Sequence, residues 1–277
     1  FKQKTAYEIS TRDWSSDVCS SDLFTGADGQ PVQWDQKVAV VRDDNDRGLG
    51  TVSPDYEIVQ NSTLLSLIKP LEEEGLLKIE NIGHLQHGAT VFVQAKIQEE
   101  FRVIGESYQS YVTFLNGHVG NKSVAIGTTT YRVICGNTFA LAYSDISEKF
   151  RHQEGVNEKV LETQAVNNYV NACMGKYSQH VERLANRRCD ASDLREAIDR
   201  IFGAKFDDAK KDRIRTLFHN GRGNEGNSFY DAFNAVTDFT SHEVRKTSKA
   251  QFQYVNFGSG ARINERAFRV LNEMATA

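Results

Sequence analysis

The chain has 277 residues, 39% of them hydrophobic and 10% aromatic, and a formal charge of -4 at pH 7. The aromatic content and the presence of only 3 prolines argue against a disordered chain, and the negative charge argues against a wholly basic, nonspecific nucleic-acid binder. The longest apolar runs are far shorter than the ~20 residues that cross a bilayer, which argues against a membrane-spanning protein.

The first 23 residues show no hydrophobic period. The stretches on either side of residues 10–12 resemble in-frame translations of the constant parts of a short-read sequencing adapter. Because no fold can have selected such a segment, we exclude it from the fold prediction and expect the natural N-terminus to be missing. The segment is not a secretory signal, since it lacks a continuous apolar stretch. Apart from Cys19, the chain has three cysteines, Cys135, Cys173 and Cys189. Because their number is odd and they are widely spaced, they favour free thiols in a reducing compartment.

Alternating hydrophobicity predicts antiparallel strands in the N-terminal half. The predicted extended segments are 38–42, 48–52, 90–98, 107–115 and 122–135. A short helix with Ser62 as its N-cap and Pro70 near its end interrupts them. Since apolar and polar residues alternate within the longer runs, we expect a sheet with one buried face and one solvated face.

After residue 137 the hydrophobic period changes to that of helices. We predict helices over 156–177 and 194–202, a third that opens at Asp207, and a fourth over 228–239. Strands followed by helices favour an α+β fold, with an antiparallel β-sheet N-terminal half and a helical C-terminal half. The β-rich part, 24–150, and the helical part, 151–277, are expected to form one continuous domain.

The segment 221–226 matches the pattern G-x-G-x-x-G. A dinucleotide fingerprint requires a strand before the glycines, and here a basic helix precedes them. The pattern is therefore interpreted as a flexible loop between helices. A phosphate of a nucleic acid could still bind the amide groups at the start of the next helix.

Three histidines, His84, His87 and His118, could in principle approach a metal ion. The sequence offers them no carboxylate or thiolate at a characteristic spacing, so we interpret them as solvent-exposed turn histidines. No C-x-x-C pair supports a zinc ribbon. We expect neither a metal ion nor a cofactor.

Basic residues and aromatic rings alternate near the C-terminus. Arg245, Lys246 and Lys249 are followed by Phe252, Tyr254 and Phe257, and then by Arg262 and Arg266. Cations that follow phosphates, interleaved with rings that stack on bases, are what single-stranded nucleic acid requires. The alternative, in which the rings belong to the core and the charges form a solvated face, stays open.

Several separated sequence blocks occur in the order of a known family. They are 49–61, 116–118, 132–138, 150–152, 234–239 with His242, and 257–261. From about residue 38 to 268 the chain resembles a family found mostly in phage and plasmid genomes, catalogued as domain of unknown function 932. It departs from the family at Val119, where Asp is usual, and it lacks the Trp-His-containing N-terminal block.

This resemblance implies a mobile-element protein in the cytoplasm of a bacterial host. A curved antiparallel sheet followed by helices is similar in architecture to single-strand annealing proteins, an analogy at the level of the fold. The leading hypothesis is a nonenzymatic single-stranded DNA-binding protein, in its fullest form an oligomeric annealing protein for recombination. The candidate DNA-binding residues are Arg132, Arg151, Arg245, Lys246, Lys249, Tyr254, Arg262 and Arg266.

Two alternatives remain. The first is an enzyme that acts on nucleic acid or nucleotides, in which histidine would serve as acid or base in a polar pocket on the sheet. The candidate pocket residues are Asn116, His118, Asn137 and His152, with Arg132 to hold phosphate. The second is a host-interaction or anti-defence protein, which would present a large exposed apolar patch.

Overall fold

The chain adopts an α+β fold, which confirms the predicted fold class. The computed structural model describes residues 18–21, 23–25, 27, 29–33, 37–98, 101–120, 122–132, 137–140, 148–156 and 166–277. The strands are β1 Val18–Ser21, β2 Leu23–Thr25, β3 Pro31–Gln33, β4 Val38–Arg42, β5 Gly48–Val52, β6 Leu77–Leu85, β7 Thr90–Ile97, β8 Phe101–Val103, β9 Glu106–Gly117, β10 Val124–Arg132, β11 Asn137–Ala140 and β12 Glu148–Phe150. The α-helices are α1 Asn61–Glu73, α2 Val166–Asn186, α3 Ala191–Phe202, α4 Asp208–Asn220, α5 Phe229–His242, α6 Ser248–Phe257 and α7 Ser259–Thr276.

The largest sheet has the strand order β11-β10-β9-β7-β6, with β12 paired to β10 and β8 paired to β9. The pairings with a resolved register, including β6 with β7 and β10 with β11, are antiparallel. A smaller sheet has the order β1-β4-β5, and β2 pairs with β3. The predicted strand over 90–98 corresponds to β7, because strict alternation of side chains is the pattern of a strand in such a sheet.

Part of the segment that resembles sequencing adapter is paired in the structure. Strand β1 lies antiparallel to β4, with Val18 opposite Arg42 and Ser21 opposite Ala39. An edge strand is held through its backbone N–H and C=O groups, so almost any short extended segment can occupy an open edge. The pairing therefore requires no sequence selected for this fold.

The helices begin at the capping residues that their sequences indicate. Asp190 accepts hydrogen bonds from the backbone N–H groups of Ser192 and Asp193 and caps α3 in a capping box. Asp207 caps α4 by accepting one hydrogen bond, from the backbone N–H group of Lys210. Helix α1 differs from expectation: its N-cap is Gln60, without a side-chain hydrogen bond, and Ser62 lies inside the helix.

The chain divides into two compact units. The first unit consists of residues 1–98, 112–127 and 147–167, and the second of residues 99–111, 128–146 and 168–277. Around β4 and β5 the first unit has a small cluster of Val40 and Val52 with Tyr56 and Ile58 packed against it. The second unit has a large aromatic and aliphatic core to which α2 to α5 and α7 contribute. Among the helices that the structure describes, none has the length and apolar character to cross a membrane.

Candidate functional site

The cations between α5 and α6 are exposed to solvent. Arg245 and Lys246 lie in the connection between the two helices, and Lys249 lies in the first turn of α6. None of the three forms an ion pair with a carboxylate among the described residues. Their charges are therefore available to a ligand, as the predicted DNA-binding role requires.

The ring of Tyr254 lies in the interior, with 8% of the residue exposed. The guanidinium carbon of Arg245 is 4.8 Å from the ring centroid. From α7, Gly260 approaches so closely that an added Cβ would lie 2.6 Å from a ring carbon. Burial raises the pKa of the Tyr254 hydroxyl. A ring covered in this way connects the Arg245 segment to α7 and offers little surface on which a base could stack.

The exposed side of α7 carries three arginines. Arg262, Arg266 and Arg269 are exposed and follow one another at intervals of four and three residues, which places them on one face of the helix. We call these three residues the α7 stripe. Within the described part of the chain none of them is paired with a carboxylate. Arg266 Nη1 donates to Ile201 O at the C-terminal end of α3 (3.0 Å), an arrangement that favours a cation.

Arg269 was missed by the sequence analysis. It follows Arg266 by three residues, so continuation of the helical period past Arg266 would have found it. On the same face the next residue is Glu273, which pairs with Arg200 at 2.7 Å. The stripe therefore ends where acidic charge begins.

Two other predicted DNA-binding cations, Arg151 and Arg132, lie outside helices α6 and α7. Arg151 is exposed and belongs to the first unit. Arg132 ends β10 opposite Asn137 of β11 in the second unit. The side chains of Arg132 and Asn137 lie outside the described residues. The prediction for these positions stays a prediction.

Three of the four predicted pocket residues come together in the first unit. Asn116 Nδ2 donates to Val59 O (2.7 Å) and to Asn61 Oδ1 (3.2 Å), and His118 Nε2 donates to the same Asn61 oxygen (2.9 Å). Asn116 and His118 are 0% exposed and His152 is 5% exposed. We call Asn61, Asn116 and His118 the polar network. The prediction that His118 is a solvent-exposed turn histidine is wrong, because the residue after β9 turns inward.

His152 joins this region through Tyr56. The two rings stack with centroids 4.4 Å apart and an interplanar angle of 18°. His152 Nδ1 donates to Glu57 O (3.0 Å), and the Tyr56 hydroxyl donates to Gly117 O (2.8 Å). Tyr56 and Asn61 lie in the sequence block 49–61 that carries the family resemblance, but neither was predicted as a site residue. Together these contacts fasten segment 56–61 to the end of β9 and to the segment after β12.

Both histidines are neutral at pH 7. Burial, with a smaller contribution from the nearby His152, lowers the pKa of His118 to about 4. Burial also lowers the pKa of His152, against the opposing effect of the Glu57 and Gly117 carbonyl groups and the Glu57 carboxylate. A fully buried neutral histidine with its N–H bonded to an amide oxygen is suited to a structural role, since a substrate has no access to it.

The loop with the G-x-G-x-x-G pattern is organised by one carboxylate. Asp231 accepts hydrogen bonds from the backbone N–H groups of Glu225, Asn227 and Ser228 and from the Ser228 hydroxyl. A phosphate at the start of α5 would have to displace this carboxylate and would be repelled by its charge. The phosphate hypothesis for the loop is therefore wrong.

The three histidines that were weighed as metal ligands do not form a metal site in the described part of the chain. There, no group of three or more His, Cys, Asp or Glu residues is placed to hold a metal ion. His84 ends up on β6 and His87 in the turn over 86–88, both exposed, while His118 is buried.

The family model described as "Domain of unknown function (DUF932)" matches residues 48–268, most of the chain. The chain belongs to this family. The polar network, Tyr56, His152, Arg262 and Arg266 lie inside the DUF932 region, and Arg269 follows it directly. Comparisons with curated proteins and with solved structures give no match.

Acidification is expected to destabilise this DUF932 protein through His118. The unfolded chain takes up a proton near pH 6.5, whereas the folded chain resists protonation down to about pH 4. The unfolded state therefore binds more protons between these values, and the free energy of unfolding falls as the pH falls through this window, by about 3 kcal/mol. Urea unfolding at a series of pH values between ~4 and ~7 measures the loss.

Two variants separate His118 from the other titrating groups. His118→Gln lowers stability at pH 7, but its free energy of unfolding should depend less on pH between ~6.5 and ~4. His87→Gln, which changes an exposed histidine in the same unit, should retain the pH dependence of the unchanged protein. Equal pH dependence in the protein with and without His118 would contradict the assignment.

Proposed function

We propose that this protein binds single-stranded DNA through its phosphate backbone, with the α7 stripe as the main contact. The observation that carries the proposal is the stripe itself: three exposed arginines on one face of an 18-residue helix, none paired with a carboxylate among the described residues. Arg245, Lys246 and Lys249 add three exposed cations in the same unit.

The spacing of the stripe suits a polyanion. A helix rises about 1.5 Å per residue, so Arg262 and Arg266 are separated by about 6 Å along the axis and Arg266 and Arg269 by about 4.5 Å. A guanidinium group binds phosphate oxygens with two parallel hydrogen bonds. Arg266 is already oriented by its bond to Ile201 O and has further N–H groups to donate. A single phosphate would not require a row of such groups.

The buried position of Tyr254 favours a backbone binder over a base reader. Because this ring is buried, the second unit would bind DNA through its charged side chains. Charge contacts to phosphates do not distinguish one base sequence from another. A flexible single strand can bend to bring successive phosphates to the cations, whereas a duplex fixes their spacing. Bases left free in this way are available for pairing, as an annealing protein requires.

The enzymatic alternative finds less support. Asn116 and His118 share Asn61 as a partner, but these two residues and His152 are almost fully buried, and Asn116 and His152 each donate to a backbone carbonyl group. An acid or base must reach the substrate directly or through one water molecule. These side chains serve the fold of the first unit.

Fluorescence anisotropy with a labelled ~30-nucleotide poly-dT strand tests the proposal. We expect binding at ~50 mM salt that weakens steeply towards ~200 mM, because bound counterions are released from each neutralised phosphate. A duplex of the same length should bind more weakly. Absence of binding at ~50 mM salt, affinity independent of salt, or preference for the duplex would each overturn the proposal.

A further inference from the structure

The first unit contains an open cleft of about 490 Å³ next to Tyr56. Its polar lining comes from Lys37, Thr51 and Ser53, and its other walls from Val52, Tyr56, Val119 and Gly120. Volumes of this size accommodate small organic ligands. All seven lining residues belong to the first unit, whereas α7 and its stripe belong to the second.

The walls of the cleft are held close together. A Cβ added to Gly50 of β5 would lie 2.9 Å from Val119 Cγ1, and a Cβ added to Gly120 would lie 3.6 Å from Thr51 O. The segment after β9 therefore packs directly on β5. A ligand would enter a preformed space and would not have to order a loop first.

Tyr56 lines this space with a side chain that its neighbours hold in place. One face of the ring is covered by His152, and the hydroxyl is bonded to Gly117 O. His152 is itself fixed by its bond to Glu57 O. Part of the ring also packs against the cluster of Val40 and Val52, so a ligand in the cleft meets only the part of Tyr56 that lines it. A nucleobase that stacks on an aromatic side chain gains affinity whichever base it is, because every base has a π-face.

The rest of the lining is polar, with a cation beside hydroxyl groups. Lys37 is exposed and forms no ion pair with a described residue, and neither Thr51 nor Ser53 uses its hydroxyl in a hydrogen bond to the described chain. An ammonium group and hydroxyl donors are suited to a phosphate or a sugar. The aromatic side chain in the cleft thus matches the base of a nucleotide, and the cation with its neighbouring hydroxyl groups matches the sugar and the phosphate.

We infer that the Tyr56 cleft is a nucleotide site, in which a nucleobase stacks on Tyr56 and Lys37 contacts its phosphate. The ligand is either a free mononucleotide or one unstacked nucleotide of a single strand. The inference goes beyond backbone binding by α7, and neither proposal depends on the other.

Quenching of 2-aminopurine fluorescence on stacking supplies the test. The probe is 2-aminopurine deoxyribonucleoside 5′-monophosphate, with ribose 5-phosphate as a competitor that lacks a base. We expect saturable quenching with a Kd on the order of 0.1 to 1 mM, and no competition by ribose 5-phosphate at equal concentration, because the stack contributes most of the affinity. A second arm uses a ~12-nucleotide strand with one internal 2-aminopurine.

Substitutions at exposed residues test the cleft without disturbing the fold. Ser53→Trp fills the cleft from an exposed position and should abolish quenching, and Lys37→Glu should weaken binding at least tenfold. Lys69→Glu, an equal charge change at an exposed site on α1, should have no effect. Quenching of the strand alone would assign the site to single-stranded DNA, and quenching of the mononucleotide would assign it to free nucleotides.

Absence of quenching in both arms, or quenching that Ser53→Trp and Lys37→Glu leave unchanged, would overturn the inference. Failure of the α7 proposal would look different. Glutamine at all three positions of the α7 stripe should leave mononucleotide quenching intact, since the stripe belongs to the second unit.

Discussion

Replacement of the whole α7 stripe (Arg262→Gln, Arg266→Gln, Arg269→Gln) is expected to weaken binding of the poly-dT strand on the order of 100-fold at ~50 mM salt. Each phosphate contact on a single strand contributes about -0.7 to the slope of log K against log salt concentration, so loss of three contacts should reduce the slope by about 2. Anisotropy titrations at four or five salt concentrations measure both quantities.

A matched variant separates local contact from net charge. Arg183→Gln, Arg187→Gln and Arg195→Gln remove three exposed arginines of the same unit, from α2, the segment after it and α3. This variant has the same net charge as the α7 variant and should bind almost as the unchanged protein does. Equal losses in the two variants would show a diffuse charge effect and contradict a binding track on α7.

The elements with a regular hydrophobic period could be predicted from the sequence, and the irregular ones could not. Strand β7 alternates strictly, and the caps Asp190 and Ser228 have the residue types that a helix start requires. Strand β6 was missed. The register of β6 against β7 shifts between Ile79 and Asn81, and such an irregularity interrupts the alternation on which a strand prediction depends.

The sequence indicated which types of residue form the candidate site, but not which residues surround them in the fold. Asn116 and Asn61 are 55 positions apart in sequence, and Tyr56 and His152 are brought together from still more distant segments. No local pattern reports such contacts, because they depend on how strands and loops pack. The same limitation explains why Tyr254 looked like a stacking ring. Its spacing is compatible with a surface or a core position, and only the approach of Gly260 decides between them.

Asp231 holds the loop that matches G-x-G-x-x-G in its conformation. Removal of its carboxylate is therefore expected to lower the stability of the protein strongly. Asp231 is 4% exposed, and its carboxylate accepts four hydrogen bonds from the loop and from Ser228. Because these donors lose their common acceptor when it is removed, each must be solvated or left without a partner inside the protein. Substitution at this position should therefore unfold the loop locally before it affects α5.

Asp231→Ala is expected to lower the free energy of unfolding by about 3 kcal/mol, since a buried donor left without its acceptor costs roughly 1 to 3 kcal/mol and two of the four donors belong to the buried Ser228. Asp231→Asn retains one acceptor oxygen and should lose less. Asp208→Ala, at an exposed aspartate in the first turn of α4, controls for the removal of one acidic residue near a helix start and should lose far less. Urea unfolding at pH 7 measures all three. If Asp231→Ala and Asp208→Ala lose equal stability, the capping contribution common to both helices explains the effect, and the carboxylate is not what holds the loop.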